Sequence, residues 1–226
     1  VTIERPPCSY VYLGDWSPII LLCVVARVSA ETREATRAKL LTAAGEEFAR
    51  VGLERASVDA ISLAAGYAKG TIYNYFPSKE ELFLAVVEEA SAQAAASGSA
   101  PGTATARDRL RGTLAGFCRW AGENDPLARV LVRECLMGTP GLYPRVMGAE
   151  APLVGELEAI IREGAADGQI RDDVPPDLLA LAIAGLADLA LVQHWASDGK
   201  TLKLAKIPEL VLGLLLGAGT PDASEA

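Results

Sequence analysis

The chain has 226 residues, 50% of them hydrophobic, 6% aromatic and 22% charged, with a formal net charge of −8. That length and apolar content exclude a disordered chain and suffice for one large domain or two small ones. Alanine and leucine dominate and β-branched runs are few, so the composition favours packed helices and the expected fold class is all-α.

An acidic chain is an unexpected nucleic-acid binder, because phosphates must be neutralised by basic groups. The charge is unevenly spread. Residues 31–79 carry seven basic groups (Arg33, Arg37, Lys39, Arg50, Arg55, Lys69, Lys79) against six acidic ones, a net of +1, whereas residues 80–226 carry 12 basic against 21 acidic. The acidity therefore belongs to the C-terminal part. Cys8, Cys23, Cys118 and Cys135 form no C-x-x-C pair, and His194 is the sole histidine. This pattern argues against a zinc site or a disulfide framework, and no metal or cofactor is expected. Cys118 and Cys135 read as small buried apolar residues on helices, with a redox sensor as the alternative.

In chain order, residues 1–30 are patterned differently from the rest. The apolar run Ile19 to Val28 is about ten residues, too short for a bilayer span of roughly 20. Three readings are open: a non-native extension, a flexible arm, or a signal-peptide core ending at Val28-Ser29-Ala30. Glu4 and Asp15, with only Arg5 before the apolar run, oppose the last. None of the three contributes to the core.

A helical period then begins near Glu31, with Ala35, Leu40, Leu41, Ala44, Phe48 and Val51 at three- and four-residue steps and Gly52 as a stop. Ser57 caps a short helix carrying Val58, Ile61, Ala64 and Ala65, closed by Gly66. A second short helix is expected from Lys69 to Tyr75, ending before Pro77, and Ser78 opens a longer one with Leu82, Phe83, Val86 and Val87 on its buried stripe. Two short helices joined through Ala65-Gly66-Tyr67 have the helix-turn-helix layout. The Ala94–Thr105 stretch reads as a linker. Beyond it, helices are expected near 106–122, 126–137, 142–166, 175–197 and 207–217.

Residues 57–87 run SVDAISLAAGYAKGTIYNYFPSKEELFLAVV. Here the chain resembles the TetR family of regulators, whose helix-turn-helix ends in a Gly-Thr-aliphatic-Tyr-x-Tyr/His-Phe-x-x-Lys signature, and the match spans roughly residues 33–87. A recognition helix shows hydrogen-bond donors to base edges and phosphates while its other face locks into the domain. Ile72 and Phe76, four apart, supply the inward face. By resemblance and by chemistry, Tyr73, Tyr75 and Lys79 are assigned to phosphates, and Lys69, Thr71 and Asn74 to contacts near base edges. Gly70 lets the sugar-phosphate chain come close, Lys79 joins the free N–H groups of its helix start, and Ser57 is both a cap and a candidate phosphate contact. The plainer alternatives are that Tyr73 or Tyr75 packs in the core and that Lys69 is only a solvated charge. The family usually has Ser or Thr where Ala68 stands, so this chain lacks a cap of about 1 kcal/mol and one phosphate contact.

The run from Ile160 to Trp195 resembles the dimerising part of the same family. From Leu178 to Ala196 apolar residues occupy nearly every face, with Asp188, Gln193 and His194 as exceptions. Such a helix is buried on more than one side. A membrane span is the rival reading, opposed by Asp188 and the acidic flank. The expectation is a homodimer through the helices near 175–197 and 207–217, forming a four-helix interface. Phe117, Trp120, Leu131, Met137, Tyr143, Met147 and Trp195 are candidates to line a pocket for a small-molecule effector, with ordinary core packing as the alternative for each.

Together these readings imply a cytoplasmic regulator with a DNA-binding domain at 31–79 and a ligand-binding and dimerisation domain at 80–226. It would bind a palindromic double-stranded DNA operator as a dimer and leave it when a mostly apolar small molecule binds, with an activator as the other sign. An interaction module that has kept the fold is a rival. An enzyme is opposed by the lack of an oriented nucleophile, carboxylate pair or metal set in the sequence.

Overall fold

The computed structural model describes residues 30–98 and 104–217. Apart from Ala30, the expected N-terminal extension lies outside the described residues, as does the centre of the Ala94–Thr105 stretch. The chain order is α1 (Ala30–Arg55), α2 (Val58–Ala64), a 3-10 turn (Thr71–Asn74), α3 (Lys79–Ala96), α4 (Ala106–Glu123), α5 (Asp125–Met137), α6 (Tyr143–Ala166), α7 (Pro176–Ala196), a second 3-10 turn (Leu204–Lys206) and α8 (Ile207–Leu216). No strand occurs among the described residues, and the all-α expectation holds.

The element boundaries follow local chemistry. Gly52, at φ 79 and ψ 169, breaks the helical path of α1 where the stop was expected. The side chains of Ser57, Ser78 and Thr105 accept the N–H groups of Ala60, Glu81 and Asp108, so α2, α3 and α4 each start on a satisfied cap. Proline stands in the first turn of α5, α6, α7 and α8, where its missing N–H has no helical partner to lose.

Two expectations are corrected. The helix anticipated from Lys69 to Tyr75 is only the 3-10 turn Thr71–Asn74, preceded by Gly70 in a left-handed conformation and with no side-chain cap. With alanine at position 68 and a positive φ at Gly70, nothing holds the chain in α geometry before Thr71. Residues 94–96, read as linker, continue α3. Ala94 is buried there, so packing overrides its small-residue surroundings.

Helix α3 ties the molecule together. It packs on α1 at one side and on α4, α5 and α6 at others, so Leu84 and Ala85 are buried as well as the expected Leu82, Phe83, Val86 and Val87. Phe48 of α1 meets Phe83 edge-on at 5.0 Å and 86°, a geometry that aromatic pairs favour. Helix α7 packs on α5, α6 and α8. It is long and apolar enough to cross a membrane by length and composition, yet one side of it, with Leu179, Ile183, Ala187, Asp188 and Leu191, is buried in the helical core. Its other side leaves Leu178, Leu181, Leu189 and Val192 exposed, next to an α8 that exposes Leu210 and Leu214.

Candidate nucleic-acid interface and ligand cavity

The segment from α2 to the start of α3 is fixed from below. Ile72 and Phe76 are 1% and 5% exposed, which makes them the inward face expected from their spacing. The Tyr67 hydroxyl donates to Thr36 Oγ1 at 3.2 Å, pinning the turn to α1. Lys79 Nζ donates to the Glu54 carbonyl at 3.0 Å, just past the Gly52 break. The start of α3 is thereby docked against the end of α1.

Above this base, Ser57, Lys69, Tyr73 and Asn74 are exposed, while Gly70, Thr71, Tyr75 and Lys79 are half-buried. The two tyrosines differ. Tyr73 is 54% exposed, whereas Tyr75 rests partly against the core with the Arg33 guanidinium 5.5 Å from its ring centroid. Lys69 lies 3.6 Å from Asp59, an exposed pair of little energetic weight that leaves the ammonium available. Arg33 and Arg37 were not singled out by sequence reasoning, yet the structure sets them over Tyr75 and Phe76. Their four-residue spacing on α1 was the only signal of this.

A cavity of about 30 Å³ lies between α4, α5, α6 and α7, room for a water or two. It is lined by Thr113, Leu114 and Phe117 of α4, Leu131 and Cys135 of α5, Glu150, Leu153, Val154 and Leu157 of α6, and Ala184, Ala187 and Asp188 of α7. Of the seven residues anticipated from sequence, Phe117 and Leu131 are on this wall. Trp120 stacks on Phe117 at 6.0 Å and donates its Nε1–H to Gln93 at 3.2 Å. Met147 and Trp195 pack half-buried on the core, Trp195 beneath the Arg129 guanidinium at 4.8 Å. Met137 and Tyr143 are instead 79% and 47% exposed. Helix α5 ends at Met137 and the chain turns at Gly138, which carries both residues to the surface.

The polar residues of the cavity were missed. Asp188 was visible only as an acid interrupting an apolar helix, and Glu150 gave no signal. Asp188 is 8% exposed and has no hydrogen bond or ion pair among the described residues. Burial, reinforced by the Glu150 charge, holds its carboxyl well above the usual carboxylate range. Burial also raises Glu150, against the opposing effect of the hydrogen bond it accepts from the Cys135 thiol. The Cys135 thiol is raised by burial and by both carboxyls. Cys118 is pushed up to about 12, by burial first and Asp188 second. Thiols so resistant to ionisation are poor redox sensors, which favours the apolar reading of both cysteines. His194 Nδ1 lies 2.8 Å from the Leu202 carbonyl near the end of α7.

The cavity wall and the start of α3 are mechanically linked through α6. Ser91 Oγ, buried on α3, donates to the carbonyl of Ala149, the neighbour of Glu150, at 2.7 Å. One helical turn earlier on α6, Arg145 forks onto both Glu81 oxygens at 2.7 and 3.1 Å.

Comparison with known proteins agrees with this arrangement. Residues 40–86 match the family described as bacterial regulatory proteins, tetR family, and residues 103–217 match the tetracyclin repressor-like C-terminal domain. The chain is 31% identical over 166 residues to an HTH-type transcriptional repressor of Streptomyces coelicolor, covering 73% of this chain and 83% of the relative. It is 27% identical over 181 residues to the fatty acid metabolism regulator protein of Bacillus subtilis, with coverages of 79% and 92%. The solved structure of the transcriptional regulator FadR from Bacillus subtilis in complex with stearoyl-CoA has a TM-score of 0.69 at 25% identity, covering 80% of this chain and 98% of that one.

Proposed function

The chain belongs to the TetR family of bacterial regulatory proteins and is a DNA-binding transcriptional repressor, and from that premise we propose that a small molecule entering the cavity between α4 and α7 releases it from its operator. The observation that carries this reading is the pair of tethers from α6 to α3. Helix α6 forms part of the cavity wall, and α3 starts with Lys79 at the DNA-reading segment. A ligand that displaces α6 therefore displaces the start of α3.

In this reading residues 31–79 form the DNA-binding domain and the remainder the ligand-binding and dimerisation domain. Tyr73, Tyr75 and Lys79 hold phosphates, with Ser57 beside its cap. Lys69, Thr71 and Asn74 face base edges, and Gly70 admits the backbone. Two copies join through the apolar face of α7 and α8, where Leu178, Leu181, Leu189, Val192, Leu210 and Leu214 are uncovered. Scattered exposed leucines need no explanation, but this many on adjacent helices favour a two-fold partner. A dimer binds tightly when its two recognition segments match half-sites about one helical turn apart, and a ligand shifts that match only through its differential affinity for the two spacings. The Bacillus subtilis FadR structure is a complex with stearoyl-CoA, which supports a small-molecule effector for this chain, and the setting is the cytoplasm.

The test is fluorescence anisotropy of the dimer on the DNA upstream of its own gene. The expected result is a specific, salt-dependent complex that is weakened by an effector, with the operator weakening effector binding by the same factor. An effector that leaves operator affinity unchanged or raises it overturns the release mechanism.

A further inference from the structure

We propose that the cavity takes a cationic ligand, an ammonium-type group on an apolar body, with Asp188 and Glu150 as its counter-ions. This deepens the reading of the C-terminal domain as a sensor and rests on it.

The inference comes from a carboxyl with nothing to hold. Glu134, also buried at 4% exposure, is what a structural acid looks like here: Arg133 lies 3.2 Å away, and the backbone N–H and hydroxyl of Thr139 both donate to it. Other acids of this domain are matched by arginines, Glu163 by Arg109, Glu209 by Arg111 and Asp173 by Arg171. Asp188, 8% exposed, has no such partner among the described residues, and it borders the cavity. Among the described residues, Glu150 on the facing wall is held only by the Cys135 thiol. Buried polar groups are nearly always satisfied, and an acid left unpaired costs stability that the free protein does not recover.

The rest of the wall defines what completes the site. Among the described residues no Lys, Arg or His lines the cavity, and most of its surface is aliphatic or the ring of Phe117. A carboxylate or a phosphate brought there adds negative charge where low dielectric already disfavours the charged form of two acids, with no base among the described lining residues to offset it. A cation offsets the burial that favours the protonated form of both acids, so that they release their protons to solvent and hold it by charge-assisted hydrogen bonds. The cavity of about 30 Å³ is far smaller than the roughly 300–1,000 Å³ of a typical ligand site. The body of the ligand must therefore part α6 from α7, which supplies the difference in affinity between two states that release requires.

The experiment is isothermal titration of the full chain with four probes that share one apolar tail, n-decylammonium, 1-decanol, decanoate and decanoyl-CoA, with operator anisotropy measured in parallel. The expected result is that decylammonium binds at least about tenfold more tightly than each of the others. Asp188→Asn and, separately, Glu150→Gln are expected to abolish its advantage over decanol, and either variant suffices should the other fail to fold. The proposal is overturned if decylammonium does not bind, if decanol, decanoate or decanoyl-CoA binds as tightly, or if both variants keep the preference. Decanoyl-CoA that binds and releases the operator overturns the cationic class and leaves ligand-released repression standing. Decylammonium bound through Asp188, with the operator unmoved, upholds the site and overturns the release.

Discussion

Arg145 of α6 forks onto the carboxylate of Glu81 in the first turn of α3, at 2.7 and 3.1 Å, two residues from the lysine that docks the start of α3 on the Glu54 carbonyl. The Arg145 guanidinium holds the Glu81 carboxyl below its usual range. The pair is solvent-exposed, so it contributes little to stability. Its geometry is bidentate, which fixes orientation as well as distance. It is suited to transmit a rotation between the two helices.

Arg145→Ala should accordingly leave the melting temperature nearly unchanged and reduce the coupling between effector and operator. The expected loss is roughly two- to tenfold in the ratio of operator affinities without and with effector. Anisotropy titrations at saturating and zero effector measure it, and an unchanged ratio in the variant counts against transmission through this fork.

At the DNA, Lys79→Ala should weaken binding about equally on all sequences and lower the slope of log affinity against log salt by roughly one. Asn74→Ala should instead change which base is preferred in each half-site. Binding isotherms over a salt series and a randomised half-site selection separate the two effects. If neither substitution alters binding, the assignment of the Thr71–Asn74 turn to the groove is wrong.

Asp188 makes a pH prediction whose sign is set by its raised carboxyl. The folded chain keeps this proton where the unfolded chain has lost it, so stability is full on the acid side. It falls as pH climbs from the ordinary carboxyl value of about 4 through the raised one. Glu150, Cys118 and Cys135 are the titratable groups whose influence is felt in the same place, and both cysteines stay protonated across neutral pH. Asp188→Asn removes the penalty. Without ligand, the variant should be more stable than the parent at neutral pH, with the difference shrinking toward pH 4. Urea melts across that range test it, and a gap that widens on acidification contradicts the assignment.

The uncovered face of α7 and α8 predicts the assembly. Leu189 is 56% exposed on α7, so Leu189→Arg should cost a lone monomer little, within about 0.5 kcal/mol. In a two-fold interface the same change sets a charge against its symmetry mate. Light scattering should show a dimer for the parent and a monomer for the variant, with operator binding lost in parallel. A variant that remains dimeric places the interface elsewhere.

What was legible in the sequence was local. Caps at Ser57 and Ser78, the stop at Gly52, the inward pair Ile72 and Phe76, and the bounds of α4 to α8 within a residue or two all depend on neighbours a few positions away, through hydrogen bonds and helical periodicity. Even the shortened recognition segment had its cause in view, an alanine at position 68 and a glycine at 70. The cavity was different in kind. Phe117 and Leu131 were found because bulky apolar residues on helices are core candidates wherever they fall, and Met137 and Tyr143 were placed with them on the same reasoning, although the turn at Gly138 carries them outward. Glu150 and Asp188 meet across two helices whose crossing is set by side chains distributed over the whole domain. Nothing within a few residues of either acid encodes the other, so only the tertiary packing decides that two carboxyls border one apolar space with no base among its described lining residues.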